Sequence, residues 1–188
     1  DVGRRDPRDR RTQYWPFDRR GSHFLRLATS GGRDAITHAG GAALIFGIGV
    51  DVLQAERVQR VHARFGARFV ERLLMPEEAT QLAMTQRPQR FLAMRCAAKE
   101  GIVKAMATGF AHGIWVRGVG VVQNKWGEPE VVYSARGERV RRQLGIGAGH
   151  VTLTDEAGLI VAVAVLEAAP PSRARRPAVV KQKSVVKK

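Results

Sequence analysis

Apolar and polar positions change period several times along this chain, and each change marks an element. The run ALIFGIGVDVL, residues 43–53, is rich in Ile, Val and Phe with two glycines ahead of Asp51, which predicts a short buried strand. From Gln54 to about Leu74 the period becomes helical. Val58, Val61, Phe65 and Phe69 recur at helix spacing with Arg57, Arg60, Arg64, Arg68 and Arg72 between them, and Gly66 marks a break. Met75-Pro76-Glu77-Glu78 predicts a fresh helix start, because proline suits the first turn and acids suit the positive end of the dipole. Pro88 ends or interrupts that helix. Arg90 to Ala107 then forms the longest helix candidate, closed by Gly109 and Gly113.

Beyond it, IWVRGVGVVQNKWGEPEVVYS predicts two strands joined by a turn at Lys125–Pro129. Gly137 to Leu144 predicts a short basic helix, and HVTLTDEAGLIVAVAVLE two strands across a turn at Asp155–Gly158. A strand, then helices, then strands with one short helix is the order of an α+β fold with a mostly antiparallel sheet and packed helices.

Composition narrows the picture. The 188 residues are 44% hydrophobic, enough for one core. The net charge of +15 points first to nucleic acid or membrane, but it is unevenly spread: +4 over residues 1–43, +4 over 44–167 and +7 over 168–188. Residues 1–43 read as a disordered N-terminal extension, 44–168 as the folded domain and 169–188 as a basic disordered tail. Without a base-reading motif, and with 6% aromatic residues, tail charge makes nucleic acid a weak candidate partner. Cys96 stands alone, which excludes an internal disulfide and fits a reducing compartment. No apolar run approaches the ~18 residues of a membrane span, and the expectation is a cytoplasmic protein with no membrane partner.

The candidate chemistry lies in RCAAKEGIVKAMATGF, residues 95–110, where Arg95, Lys99, Glu100 and Lys104 stand among small residues. Glu100 and Lys104, four apart on one helix face, read first as a surface ion pair worth roughly 0.2–0.5 kcal/mol. Asp51 alone reads as a turn or capping aspartate. Arg95 and Lys99 repeat the four-residue offset with like charges, which is unfavourable unless an anion lies nearby. Ala97, Ala98 and Gly101 keep the helix surface low, so that a strand or ligand can approach. A cationic helix face with one acid suits a phosphate-plus-magnesium site.

GIGVDVLQAERV followed by RFLAMRCAAKEGIVKAMATGF resembles the paired signature of the holo-acyl-carrier-protein synthases, the 4'-phosphopantetheinyl transferases of fatty-acid synthesis. The WGEP turn and the closing HVTLTDEAGLIVAVAVLE hairpin match in order and spacing, so the resemblance covers about residues 44–167. It implies a small α+β domain that usually trimerises. It also implies transfer of the phosphopantetheine arm of coenzyme A to a serine of an acidic acyl carrier protein, leaving adenosine 3',5'-bisphosphate. Carried over by position, Asp51 and Glu100 would hold Mg2+, and Glu100 and Lys104 would be catalytic. Lys104 would meet the pyrophosphate, Arg95 and Lys99 the nucleotide phosphates, and the turn with Lys125, Gly127 and Pro129 would lie near the nucleotide. Arg57, Arg64, Arg68, Phe69 and Arg72 would dock the carrier protein.

Two positions depart from the family, and Gly101, where its helix usually carries alanine, is expected to cost helix stability more than chemistry. Where its closing hairpin carries S-x-S-H, with a histidine that meets coenzyme A, this chain has Asp155. Either that contact is not essential, or another cation substitutes, or affinity for coenzyme A is lowered. Two other readings therefore stand beside an active transferase: a degenerate form or one specialised for another carrier, and a nucleic-acid binder acting through its basic tails.

Overall fold

The computed structural model describes residues 44–170, so the expectations for residues 1–43 and for nearly all of the basic tail lie outside the described residues. The elements are β1 (Ile45–Gln54), α1 (Ala55–Phe65), α2 (Ala67–Leu73), α3 (Pro76–Met84), α4 (Pro88–Ala105), β2 (Val119–Gln123), β3 (Pro129–Tyr133), α5 (Ala135–Gln143), β4 (Ile146–Glu156) and β5 (Leu159–Ala168). The five strands form one sheet in the order β1-β5-β4-β3-β2, every neighbouring pair antiparallel. The expected α+β class with a mostly antiparallel sheet is the class observed.

α4 is the organising element. Leu92, Ala93, Ala97, Ala98, Ile102 and Val103 are fully buried on several of its faces, the pattern of a helix enclosed rather than lying on a surface. It packs on β1 and β5 and divides the core in two. One part joins Leu53, Phe69, Leu73, Leu92 and Ile160, the other Ile102, Met106, Val119, Val121, Ala164 and Leu166. The strand alternation places Gly47, Gly49, Asp51 and Leu53 on the helix side of β1. Ile48, Val50 and Val52 face outward at 57%, 49% and 59% exposure.

Gly66, at φ 50°, separates α1 from α2 at the expected break. Other boundaries differ from the pattern-based expectation, each for a local reason. Pro88 does more than interrupt a helix: it is the first residue of α4, where its missing N–H costs nothing. α4 stops at Ala105, with Ala107 already left-handed at φ 56°. The strand expected from Ile114 begins only at Val119, after a 3-10 turn at Val116–Gly118. β4 begins at Ile146, earlier than expected, with an irregularity between Ile146 and Gly149.

Candidate active site

Strand alternation aims Asp51 at α4, and the four-residue helix repeat brings Glu100 and Lys104 to the α4 face that meets β1. There Lys104 Nζ lies 2.9 Å from Asp51 Oδ1 and donates a second hydrogen bond, 3.1 Å, to the Val50 carbonyl. Glu100 does not pair with Lys104 as a simple surface bridge would. Its Oε2 is buried with no hydrogen-bond partner. Burial first, and the Asp51 charge second, raise its carboxyl to about 7, with Lys104 opposing. Asp51 takes the cation, and Glu100, near enough for the Asp51 charge to raise it, keeps a buried oxygen unsatisfied, an arrangement that costs free energy unless something positive completes it.

Arg95 and Lys99 belong to a different surrounding. Lys99 has no exposed surface, and its ammonium lies 2.7 Å from Glu78 Oε2 while donating to the carbonyls of Val116 (3.1 Å) and Val119 (2.6 Å). Three partners use its three protons. The expectation that Lys99 holds a nucleotide phosphate is therefore corrected within this chain: the side chain points to the α3–β2 side and is fully committed to Glu78. Burial lowers its pKa, with Glu78 opposing. Glu78 is itself wholly buried and accepts from the backbone N–H of Met75 (2.8 Å) and Val121 (2.9 Å). Sequence reasoning read Glu78 only as a helix-start acid. Its tie to α4 and β2 had no local signal.

Arg95 is 3% exposed and lies against the Phe91 ring at 4.2 Å, with Nη2 3.3 Å from Gln81 Oε1. Its Nε, 3.9 Å from Glu78 Oε1, makes no hydrogen bond. It lines a cavity of about 240 Å³ together with Thr85, Gln86, Arg87, Arg90, Phe91, Met94 and Gln123. Arg90 on this wall forms a two-pronged pair with Asp155, Nε donating to Oδ2 at 2.8 Å and Nη2 to Oδ1. The hydrogen bonds from Arg90, and after them its charge, hold the Asp155 carboxyl below its ordinary range. Gln123 connects the cavity to the β2–β3 turn, where Asn124 Oδ1 accepts from the N–H groups of Trp126 and Glu128. In that turn Lys125 lies over Trp126 at 4.9 Å, Gly127 takes φ 85°, and Pro129 opens β3.

The comparisons with known proteins agree on one family. Residues 47–163 match the model of the 4'-phosphopantetheinyl transferase superfamily. The chain belongs to that family. It is 41% identical over 124 residues to the holo-[acyl-carrier-protein] synthase of Aromatoleum aromaticum, covering 66% of this chain and 98% of the relative. The Neisseria meningitidis synthase is 34% identical over 124 residues, with 66% and 99% covered. The crystal structure of a Neisseria meningitidis synthase matches with a TM-score of 0.63 at 32% identity, covering 66% of this chain and 99% of that one. A Bacillus anthracis synthase in complex with CoA (3',5'-ADP) matches with a TM-score of 0.56 at 26% identity, over 68% of this chain and all of that one.

Magnesium, which the family resemblance implies, fits the residues present in this phosphopantetheinyl transferase domain. Asp51 and Glu100 are hard oxygen donors, and the unpartnered Glu100 Oε2 is an open ligand position. Among the described residues no group of three or more His, Cys, Asp or Glu comes together. Two carboxylates suit a cation that keeps several waters and takes its other ligands from phosphate.

The expected carrier-docking residues divide. Arg57, Arg64, Arg68 and Arg72 lie on the exposed side of α1 and α2. Phe69 does not: it is 1% exposed and packs in the core with Leu73 and Leu74, so its assignment to the docking surface is corrected. After Gly66 the chain restarts as α2, and Phe69 falls on its inner face with Leu73, four residues on. Among the described residues no helix is long and apolar enough to cross a membrane.

Proposed function

We propose that this chain transfers 4'-phosphopantetheine from coenzyme A to a serine of an apo-acyl carrier protein, with Mg2+ held by Asp51 and Glu100. The observation that carries the reading is the Asp51–Glu100–Lys104 group with its unpartnered Glu100 oxygen. Its relatives are named holo-[acyl-carrier-protein] synthases, and a structural neighbour from Helicobacter pylori is described in complex with coenzyme A.

In the reaction a bond forms between the seryl oxygen and the β-phosphorus of coenzyme A, and the bond from that phosphorus to the bridging oxygen breaks. The leaving group is adenosine 3',5'-bisphosphate. Bound magnesium supplies charge neutralisation on the pyrophosphate. Lys104, held by Asp51 and the Val50 carbonyl, presents a fixed positive charge to the oxygen that gains charge as the bond breaks. Among this chain's side chains Glu100, whose Oε2 has no hydrogen-bond partner, is the one placed to take the seryl proton. Exposed Arg57, Arg64, Arg68 and Arg72 steer an acidic carrier by charge. The Lys125–Pro129 turn lies beside the nucleotide, and Asp155 is accommodated because Arg90 neutralises it.

The same reading makes the functional unit a trimer of this chain in the cytoplasm. Supporting it is the apolar outer face of β1, where Ile48, Val50 and Val52 stand exposed on an edge strand. The test is mass spectrometry of apo-acyl carrier protein incubated with the chain, coenzyme A and magnesium. A gain of the phosphopantetheine mass is expected, lost with EDTA and in Glu100→Gln. No gain with several carriers, from folded protein, would sink the proposal.

A further inference from the structure

The 3-10 turn at Val116–Gly118 is fixed from several directions. The Trp115 carbonyl accepts from the Gly118 N–H at 2.6 Å, and the Val116 carbonyl from the buried Lys99 ammonium at 3.1 Å. The Gly118 carbonyl accepts from the Ser134 N–H at 3.1 Å, and a Cβ built on Gly137 of α5 would stand 1.9 Å from its oxygen. α2 packs on the turn as well. A segment held in this way has little freedom left to lose when something binds to it. Trp115 leads into the turn and is 64% exposed. Arg136, in the first turn of α5, lies over its ring at 5.9 Å, within cation–π range. Tryptophan and arginine are the residue types that most often anchor protein–protein contacts.

The surroundings of Trp115 carry one sign of charge. Arg117 is exposed on the turn itself, Arg136 and Arg139 on α5, and Arg68 and Arg72 on α2. The turn packs against both helices, so these cations form one band. Across α2, the turn and α5 the sequence carries seven arginines and two glutamates. One of those acids, Glu138, is taken up by Arg141 and Arg142. The other, Glu71, stands between Arg68 and Arg72 in sequence. An acidic partner fits such a band, and a partner without carboxylates does not.

The band also lies on the helix side of the sheet. Val140 of α5 packs against the part of the core that holds Ile102, Met106 and Val119. Ile48, Val50 and Val52 point the other way, so covering the outer face of β1 leaves the band open. Through α2 it is continuous with the arginines that steer an acidic carrier.

We propose that Trp115, flanked by Arg117 and Arg136, is an anchor for the acidic acceptor, extending the docking surface from α1 and α2 across the 3-10 turn to α5. This rests on the reading of an acyl carrier protein as acceptor. The surface that fits has an apolar side chain among carboxylates: the carboxylates meet the arginines, and the apolar group covers the indole. The arginines act over a distance that salt shortens, whereas the indole acts only on contact.

The experiment is steady-state transfer to apo-acyl carrier protein at two ionic strengths. It compares the full chain with Trp115→Ala, Trp115→Phe and the pair Arg117→Glu with Arg136→Glu. Melting temperatures control for folding, and sedimentation velocity follows self-association. Trp115→Ala is expected to raise the KM for the carrier about tenfold at both ionic strengths, and to leave the KM for coenzyme A within about twofold. Trp115→Phe is expected to recover most of the loss. The arginine pair is expected to raise the carrier KM about tenfold at low salt and far less at high salt. A merely structural role would move the melting temperature and both KM values together. An unchanged carrier KM in Trp115→Ala, equal rises for both substrates, or an arginine effect that ignores salt would each overturn the proposal. Loss of self-association in Trp115→Ala with an unchanged carrier KM would overturn it in favour of a second copy of the chain. A folded wild-type chain that modifies none of several carriers would overturn the acceptor reading along with it.

Discussion

A Cβ built on Gly49 of β1 would stand 2.0 Å from the carbonyl oxygen of Gly101 in α4. That contact, backbone against backbone, sets how deeply α4 lies on the sheet beside Asp51 and Glu100. Gly47 repeats it one residue pair along, 2.2 Å from the Ala105 carbonyl. Gly101 itself has room, because a Cβ there meets nothing closer than 3.6 Å. Gly49→Ala is therefore expected to destabilise the fold by about 3 kcal/mol through overpacking. Gly101→Ala is expected to stabilise it by roughly 0.5–1 kcal/mol through helix propensity. Urea unfolding of the two variants checks both signs, and equal effects would contradict the geometry.

Lys99 and Glu78 are both fully buried, 2.7 Å apart. Removing one partner leaves the other charge buried, so Lys99→Met is expected to cost roughly 3 kcal/mol. Its KM for coenzyme A, measured well below its melting temperature, should remain that of the wild type. A several-fold rise in KM from a stable variant would return Lys99 to the phosphate site.

Phe69 and its arginine neighbours should separate cleanly. Phe69→Ala opens a core cavity and is expected to cost about 3–5 kcal/mol. Arg68→Glu with Arg72→Glu changes exposed charges and should leave the melting temperature nearly unchanged. It should raise the KM for an acidic carrier about tenfold at low salt, and the difference should shrink as salt screens it. Steady-state kinetics at two ionic strengths measures this. A salt-independent change would argue against electrostatic steering.

Glu138 accepts hydrogen bonds from Arg141 at 2.7 Å and Arg142 at 2.8 Å, and these hold its carboxyl down to about 2, against an ordinary 4.5. Arg141 also donates to the carbonyls of Ile146 and Gly147, tying α5 to the start of β4. A depressed carboxylate contributes stability that is fully present above its unfolded pKa and is lost as pH falls toward the folded one. The wild type is therefore expected to lose stability between about pH 5 and pH 2 more steeply than Glu138→Gln. The effect is small, because Glu138 is partly exposed and its partner Arg142 largely so, which lets solvent screen the pair. Melting temperatures of both proteins across that range decide it, and parallel curves would exclude the linkage.

The elements were legible because they rest on local rules, whereas the joining of Asp51 with Glu100 and Lys104 into one site came only from the family resemblance. Period-2 alternation puts Asp51 on the same face of β1 as the two close-packed glycines, and an i,i+4 step puts Glu100 and Lys104 on one face of α4. Apolar periodicity located α1 and α2, and the Pro76 start signal α3, although Pro88 and the 3-10 turn at Val116–Gly118 shifted later boundaries. The roles of Lys99 and Phe69 were not legible. Helix spacing groups Lys99 with Arg95 and Phe69 with the arginines, and says nothing about which flank another element will cover.

The sequence by itself determined the α+β class, the family signature and the residue types of the Asp51–Glu100–Lys104 group, since each depends on neighbours within a turn of helix or a few strand residues. Only the tertiary structure decided that Glu78 claims Lys99 from 21 residues away and that Asp155 claims Arg90 from 65 away. Charges find partners through space, and the packing of α3, α4 and β4 sets those distances, which no local pattern encodes.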